Sequence, residues 1–338
     1  MLAYLLRRLI GLVAVLLAMA FLIFALQGII PADPARAIAG VAAPVEVLEA
    51  VRDKLGLSDP VPVQYGRFLG RVVQGDLGTS IRTRQPVLAD IQKYLPASLE
   101  LGLAALLIGT ALAGLFALVH RRFPGSAVVR LTLITAGSTP IFLTALLLVY
   151  FVWFRLGWLP GAGRLSHRGF SGPTGLNLID GLLAVRPDIA LDALQHLLLP
   201  ALAVALPIAV AVGRSLGASL HEVMRRPYIR TMRGKGLSEG EALWRHGLRN
   251  AASAPLAMLG LQIGLMFGNL MVVERIFAWP GLGLYMVQSF ASADLPAILG
   301  VSLAFGSIYI VANIGIEMAQ SLADPRIGLS RSRAGAAD

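Results

Sequence analysis

Long apolar runs alternate with short polar segments along the chain. Six runs approach the ~20 apolar residues that a helix needs to cross hydrocarbon. They cover about 9–30, 97–119, 131–154, 196–214, 251–273 and 295–318. The run from Leu131 to Phe154 and the run from Ala251 to Val273 carry no charge. The fourth is short and interrupted by Pro200 and Pro207; a plain kink and a functional break both fit, because neighbouring helices can satisfy the carbonyls that a proline frees. The pattern predicts an all-α integral membrane protein with six transmembrane helices. Between the first two runs, Val47, Leu48, Val51 and Leu55 recur at helical spacing within Pro44–Leu57. Val63–Val73 has a similar pattern, and Gly75-Asp76-Leu77-Gly78-Thr79-Ser80 reads as a turn. That long loop is expected to fold into a small cap. Residues 155–195 begin rich in glycine and proline, so an irregular segment is expected there.

Charge orients the spans. Six crossings put both ends on one side, together with Arg7 and Arg8, Arg121, Arg122 and Arg130, the basic run Arg214–Arg249, and Arg326, Arg331 and Arg333. Excess Lys and Arg mark that side as cytoplasmic. The first loop also holds Arg82, Arg84 and Lys93, but long loops translocate largely regardless of charge. Arg7 and Arg8 before an apolar run, with Ala18-Met19-Ala20 inside it, have the outline of a signal peptide. The run continues through Phe21–Leu26, longer than a signal core, which makes it an uncleaved first span. Composition agrees: the 338 residues are 56% apolar and only 14% charged, and the mean hydropathy is +0.72. A net charge of +10 does not imply nucleic acid, since the charges flank apolar spans without an aromatic-basic surface; it fits topogenic charge and attraction to anionic lipid. The absence of cysteine excludes disulfides and thiolate sites.

Catalytic patterns are missing. Gly234-Lys235 comes closest to a phosphate-binding loop, but position 229 is Ile and position 236 is Gly. His221-Glu222 lacks a second histidine at position 225, which is Arg, and the other histidines have no ligand spacing. No nucleophile elbow is present. A membrane-embedded enzyme therefore lacks a catalytic set. A secondary transporter would call for inverted repeats and intramembrane coupling groups, and neither is visible. Glu100, after Pro96-Ala97-Ser98-Leu99, reads as an acid in a first helical turn, complementing the dipole, with a substrate role as the alternative. Gln262, Asn269 and Asn313 are polar within apolar spans and either line a pathway or bond between helices. Gly260, Gly264 and Gly268 recur every four residues along one face of the fifth span, with Asn269 near its edge. Such a face allows close helix approach or leaves room for a passing solute.

The polar segment 228–250 holds the densest signal. Leu237, Ala242, Leu243, Trp244 and Leu248 form a candidate apolar stripe, and Gly234, Gly236 and Gly240 permit a tight turn between short helices. An amphipathic helix resting on lipid and a docking surface for a soluble partner both fit. Tyr228-Ile229-Arg230-Thr231-Met232-Arg233-Gly234-Lys235-Gly236-Leu237-Ser238 closely resembles the cytoplasmic "EAA" loop of ABC-importer permeases, in the form typical of the dipeptide/oligopeptide/nickel family. Met232 and Gly234 replace that family's two alanines, and Pro227 replaces its usual acid. The resemblance extends to Leu156–Pro160, Leu199–Leu202, His246–Ala251, Val273–Gly283 and Asp324-Pro325-Arg326. Leu5–Leu9 and Gly75–Ser80 resemble the "B" type of subunit, with its long first loop.

The resemblance implies a type-I ABC-importer permease fold in a bacterial inner membrane, with both termini cytoplasmic. It implies an N-terminal helix over 1–30, an extracytoplasmic loop over 31–94, a five-span domain over 95–322 with a coupling loop at about 217–250, and a cytoplasmic tail over 323–338. The implied partners are a sister permease, two ATPase subunits or domains, an extracytoplasmic solute-binding protein and membrane lipid. The chain itself would bind no cofactor or metal, with ATP and Mg held by the ATPases. Tyr228, Arg230, Thr231, Arg233, Lys235, Gly236, Leu237 and Glu239 would couple to the ATPase, and Gly260, Gly264, Gly268 and Asn269 are candidates for the pathway. Peptides are the implied cargo, with nickel, glutathione and oligosaccharides as alternatives.

Overall fold

The computed structural model describes residues 2–27, 35, 39–40, 43–56, 58–123, 126–167 and 169–323. Residues 28–30, at the end of the first apolar run, and the tail with Asp324-Pro325-Arg326 lie outside them. The described residues form helices α1 (Leu2–Gln27), α2 (Val45–Leu55), α3 (Val61–Val73), α4 (Val87–Arg122), α5 (Ala127–Ser138) and α6 (Ile141–Leu148), which runs into a π-helical turn Val149–Arg155. Next come α7 (Asn177–Leu183), α8 (Pro187–Met224), α9 (Pro227–Gly234) and α10 (Glu239–Glu241), the last passing through a π-helical turn Ala242–Gly247 into α11 (Leu248–Ala251). They end with α12 (Ser253–Ile276), α13 (Leu282–Ala291) and α14 (Leu295–Ala323). Among the described residues, four helices are long and apolar enough to cross a membrane: α4, α8, α12 and α14.

The third apolar run is not one helix. It breaks at Thr139-Pro140, between α5 and α6. Pro96, Pro200 and Pro207 stay inside their helices. The difference lies in what precedes each proline. Gly137-Ser138-Thr139 are weak helix formers, whereas Leu95, Leu199 and Leu206 extend strong ones. Thr139 Oγ1 donates to the Thr135 carbonyl at 2.7 Å, occupying an acceptor at the break. The short fourth run, in turn, lies within the 38-residue α8, roughly 57 Å long at 1.5 Å per residue and well beyond a hydrocarbon core of ~30 Å.

The chain divides into two compact units. In the first, Met1–Ser98 with Pro280–Ile310, α3 lies against α1. Phe68 is buried with Ala20, Phe24 and Leu299, and the Tyr65 hydroxyl donates to the Leu17 carbonyl at 2.8 Å. Gly306 lets α14 approach α1, since a Cβ there would come 2.9 Å from Met19 Cε and 3.0 Å from Leu16 Cδ2. The turn after α3 is fixed by buried carboxylates. Asp294 accepts from Ser80 Oγ at 2.5 Å and from the Arg82 N–H at 3.1 Å. Asp90 accepts from Thr83 Oγ1 at 2.5 Å and from the Tyr285 hydroxyl at 2.9 Å. Burying a carboxylate is costly unless such donors fill it.

The second unit, Leu99–Trp279 with Val311–Asp338, is organised around α8. Two glycines set its separation from α4: a Cβ on Gly109 would meet Ile208 at 3.0 Å, and one on Gly213 would meet the Ala113 carbonyl oxygen at 3.1 Å and its Cα at 3.2 Å. Gly137 lets α5 approach in the same way, against Val210 Cγ1 at 2.9 Å. Glu100 is not in a first turn: α4 begins at Val87, which leaves Glu100 inside the helix and 8% exposed. Its carboxylate accepts from Arg164 Nη2 at 2.5 Å and from the Leu178 N–H at 2.8 Å. Arg164 also donates to the Gly175 carbonyl at 2.8 Å and lies 5.4 Å from the Trp279 ring centroid. The irregular segment between α6 and α7 is thereby fastened to α4.

The contact at Gly213 is with backbone, which cannot yield as a side-chain tip can. Gly213→Val should therefore overpack the α4–α8 contact and cost about 1–3 kcal/mol. Gly217→Val, on the same helix with nothing within 4 Å of its Cβ position, should be close to neutral. Thermal unfolding of the two purified variants in detergent checks this; equal midpoints would contradict the assignment of Gly213 as a spacing residue.

Candidate functional site

The segment after α8 folds into two short helices around a left-handed turn. Pro227 starts α9, where its missing N–H leaves no bond unmade. The helix stops at Gly236, whose φ of +94° only glycine adopts readily. The Gly236 N–H donates to the Arg233 carbonyl at 2.9 Å, and the Leu237 N–H reaches back to the Met232 carbonyl at 3.3 Å. This paired return is the Schellman stop. Gly236 is thus glycine for a backbone reason, quite apart from any partner. Ser238 then starts α10 through a capping box. Its hydroxyl accepts from the Glu241 N–H at 3.3 Å, and the Glu241 carboxylate accepts from the Ser238 N–H at 2.9 Å.

One face of this double helix is rooted in the second unit. Ile229, Ala242 and Leu243 are buried with Leu220, Val223 and Met224 of α8 and Ala117 of α4, and half-buried Tyr228 and Leu248 pack against them. Trp244 leaves the predicted stripe and is 66% exposed. The stripe assumed one face, but Ala242 and Leu243 already fill the inward positions, and the next residue around the turn points away. Arg230, Thr231, Arg233, Lys235, Gly236 and Glu239 are exposed, and Leu237 is half-buried. Cβ positions on Gly234, Gly236 and Gly240 have nothing within 4 Å, so this outer surface is open and low in relief.

Charge ties the turn down. The Glu239 carboxylate pairs with Arg233 Nε at 2.6 Å and with Arg121 Nη2, at the end of α4, at 2.9 Å. Arg121, Ser238 and Glu241 are site residues that sequence reasoning did not single out. The Ser-x-x-Glu spacing was the available signal for the cap; Arg121 offered none, lying 118 positions from its partner. Among the described residues, no group of three or more His, Asp or Glu side chains is arranged to hold a metal ion.

The segment after α8 is thus a basic two-helix element with a bare outer face, seated on long apolar helices. The family model for the inner membrane component of binding-protein-dependent transport systems matches residues 105–329, and the model for the N-terminal region of such membrane components matches residues 1–102. This chain belongs to that family. It is therefore a multi-pass inner-membrane protein. It is 37% identical to the probable D,D-dipeptide transport system permease protein DdpB of Escherichia coli, over 94% of this chain and 95% of the relative. It is 34% identical to the dipeptide transport system permease protein DppB of Alkalihalophilus pseudofirmus, over 97% and 99%. The glutathione transport system permease protein GsiC of Salmonella paratyphi A is 35% identical, again over 97% and 99%.

In this family member the glycine row of α12 is uneven. Gly260 is buried, and a Cβ there would lie 2.8 Å from Asn313 Oδ1 of α14, so this end of the row packs within the chain. Gly264 and Asn269 are half-buried, while Gly268 is exposed with nothing within 4 Å of its Cβ position.

The capping box gives a pH-dependent expectation. Hydrogen bonding from the Ser238 N–H, and then from its hydroxyl, holds the Glu241 carboxyl below its ordinary range. A depressed folded-state pKa contributes stability that is fully present above the unfolded value of about 4.3 and is lost as pH falls through the lower folded value. Ser238→Ala should remove the cap, at a cost of about 1 kcal/mol to the local helix, and raise amide exchange across residues 239–251 at neutral pH. The excess exchange over wild type should shrink as pH falls through that window; an unchanged exchange pattern at neutral pH would contradict the capping role.

Proposed function

We propose that this chain is the transmembrane permease subunit of an ATP-driven importer of di- and oligopeptides, with α9, α10 and α11 as the element that couples it to an ATPase. The observation that carries the coupling role is the union of a buried root and a bare surface. Ile229, Ala242 and Leu243 fix the element to α4 and α8, while Gly234, Gly236 and Gly240 leave its outer face open to close approach by another backbone. An ATPase dimer that changes its fit to this face on binding ATP would bias the spans between inward and outward access, since coupling needs only a difference in contact between two states. ATP and Mg belong to those ATPase partners. A sister permease completes the pathway, to which Gly264, Gly268 and Asn269 contribute, and a solute-binding protein delivers cargo. The relatives' names for dipeptide and glutathione transport favour peptides over nickel or oligosaccharides.

The accompanying topology has six spans, both termini cytoplasmic, residues 31–94 outside as a folded loop, residues 95–322 as the main transmembrane domain and 323–338 as a cytoplasmic tail. The chain has no native cysteine, so Gln64→Cys should react with an impermeant thiol reagent from the extracytoplasmic side of intact membranes. Reaction only after the membrane is broken would invert the topology.

For coupling, Gly234 is a cleaner probe than Gly236, whose left-handed backbone makes any side chain strained. Gly234→Glu should leave the chain in the membrane yet reduce uptake by at least tenfold, because a long charged side chain obstructs close approach and enters the contact unpaired. Normal uptake with normal substrate-stimulated ATP hydrolysis would remove this element from the coupling role.

A further inference from the structure

Helices α4 and α8 run parallel where they touch. Gly109 meets Ala205 and Ile208, and farther along both helices Gly213 meets Ala113 and Phe116. Beyond that contact each helix runs on toward the two-helix element, α4 to Arg122 and α8 to Met224. Glycine no longer spaces them there: Gly114 and Gly217 have nothing within 4 Å of their Cβ positions. The element grips the two ends differently. Among the described residues, its buried root takes Leu220, Val223 and Met224 from α8 but only Ala117 from α4, a methyl group with little apolar surface to bury.

Charge supplies the grip on α4. Glu239, at the start of α10, receives Arg233 of α9 as a fork, Nε on Oε1 at 2.6 Å and Nη2 on Oε2 at 3.2 Å. Arg121, in the last turn of α4, donates from Nη2 to the same Oε2 at 2.9 Å. A lone exposed pair is worth little, but a forked arginine within a network of charges is the exception. The carboxylate also keeps two cations together. Without it the guanidiniums of Arg121 and Arg233 would face one another uncompensated, and like charges so close would push α4 away from the element. Glu241 does not stand in for it, because the Ser238 N–H and hydroxyl hold its carboxylate.

We propose that Arg121 and Glu239 are positioning residues for energy coupling. They strap α4 to an element whose apolar root belongs to α8, so that one displacement of the element moves the ends of both helices. Glu239 thereby acts inside the chain and not on the ATPase. The strap rests on the coupling role proposed for α9, α10 and α11, and its charge distinguishes it from the apolar root.

Amide hydrogen exchange of the full chain, with the subunits that co-purify with it, in nanodiscs, reads the strap without any cargo. Arg121→Ala should speed exchange at residues 116–122 several-fold. Arg122→Ala removes an equal charge from the same helix end without touching Glu239 and should not. Arg121→Lys should stay close to wild type, and Arg121→Glu combined with Glu239→Arg should recover what each change loses alone. Wild type in 1 M NaCl should resemble Arg121→Ala, because the screening length there falls to about 3 Å, while the apolar root has no charge to screen. Uptake of radiolabelled alanyl-alanine, measured alongside ATP hydrolysis, reads transmission: Arg121→Ala should lower uptake per ATP several-fold and leave hydrolysis little changed. Equal exchange in Arg121→Ala and Arg122→Ala, or a charge exchange no better than its single changes, would overturn the strap. Faster exchange with unchanged uptake per ATP would overturn its part in coupling. Uncoupling by Gly234→Glu but not by Arg121→Ala would strike the strap and keep the coupling element, whereas normal uptake in Gly234→Glu would strike the element itself. A wild type that takes up no alanyl-alanine would count against the peptide reading, and exchange alone would then decide the strap.

Discussion

The approach of α4 to α8 at Gly109 and Gly213 is the constraint on which the second unit depends. Two helices brought within reach of each other's backbone have no slack between them, and interiors packed in this way change by discrete steps rather than by smooth deformation. Several other parts of that unit are fastened to one or other helix of this pair. The segment between α6 and α7 is pinned to α4 through Glu100 and Arg164, α5 meets α8 at Gly137, and the double-helix element is seated against Ala117 and Met224. At Gly213 glycine serves as the spacer because a Cβ would sit only 3.1 Å from the Ala113 carbonyl oxygen.

The same logic separates two uses of glycine in the two-helix element after α8. Gly236 is there for its own backbone, as the left-handed stop of α9. Gly234 and Gly240 have ordinary surroundings and open space, so their lack of a side chain is a property of the surface they present. Exposed ion pairs such as Arg121–Glu239 are individually weak. Here one carboxylate joins two arginines from different helices, so it orients the turn more than it stabilises the fold.

Much of this was legible in the sequence, and the parts that were not share a cause. The apolar runs of α4, α8, α12 and α14, the helical spacing in α2 and α3, and the turn at Gly75–Ser80 follow from local period and turn chemistry. The break at Thr139-Pro140 was readable only by weighing the residues before each proline. The setting of Glu100 was not readable, because its partner Arg164 lies 64 positions away and the start of α4 at Val87 is hidden within a polar stretch. In the candidate site, the basic loop and its glycines stood out. The inward face of the loop did not, since Ala242, Leu243 and Trp244 are equally apolar and only packing decides which of them points out. The coupling role proposed for the loop comes from family resemblance, which local period and turn chemistry do not supply.

Ile229 has no exposed surface, and that has a mechanical meaning. A side chain fully enclosed by α8 and the segment after it leaves α9 no compliance of its own. Closely packed interiors are barely compressible, so a displacement imposed on the outer face of α9 is delivered to Leu220 and Met224 undiminished instead of being absorbed in a soft joint. Under the proposed coupling role, stiffness at this position would favour delivery of work done on the surface to the long helices.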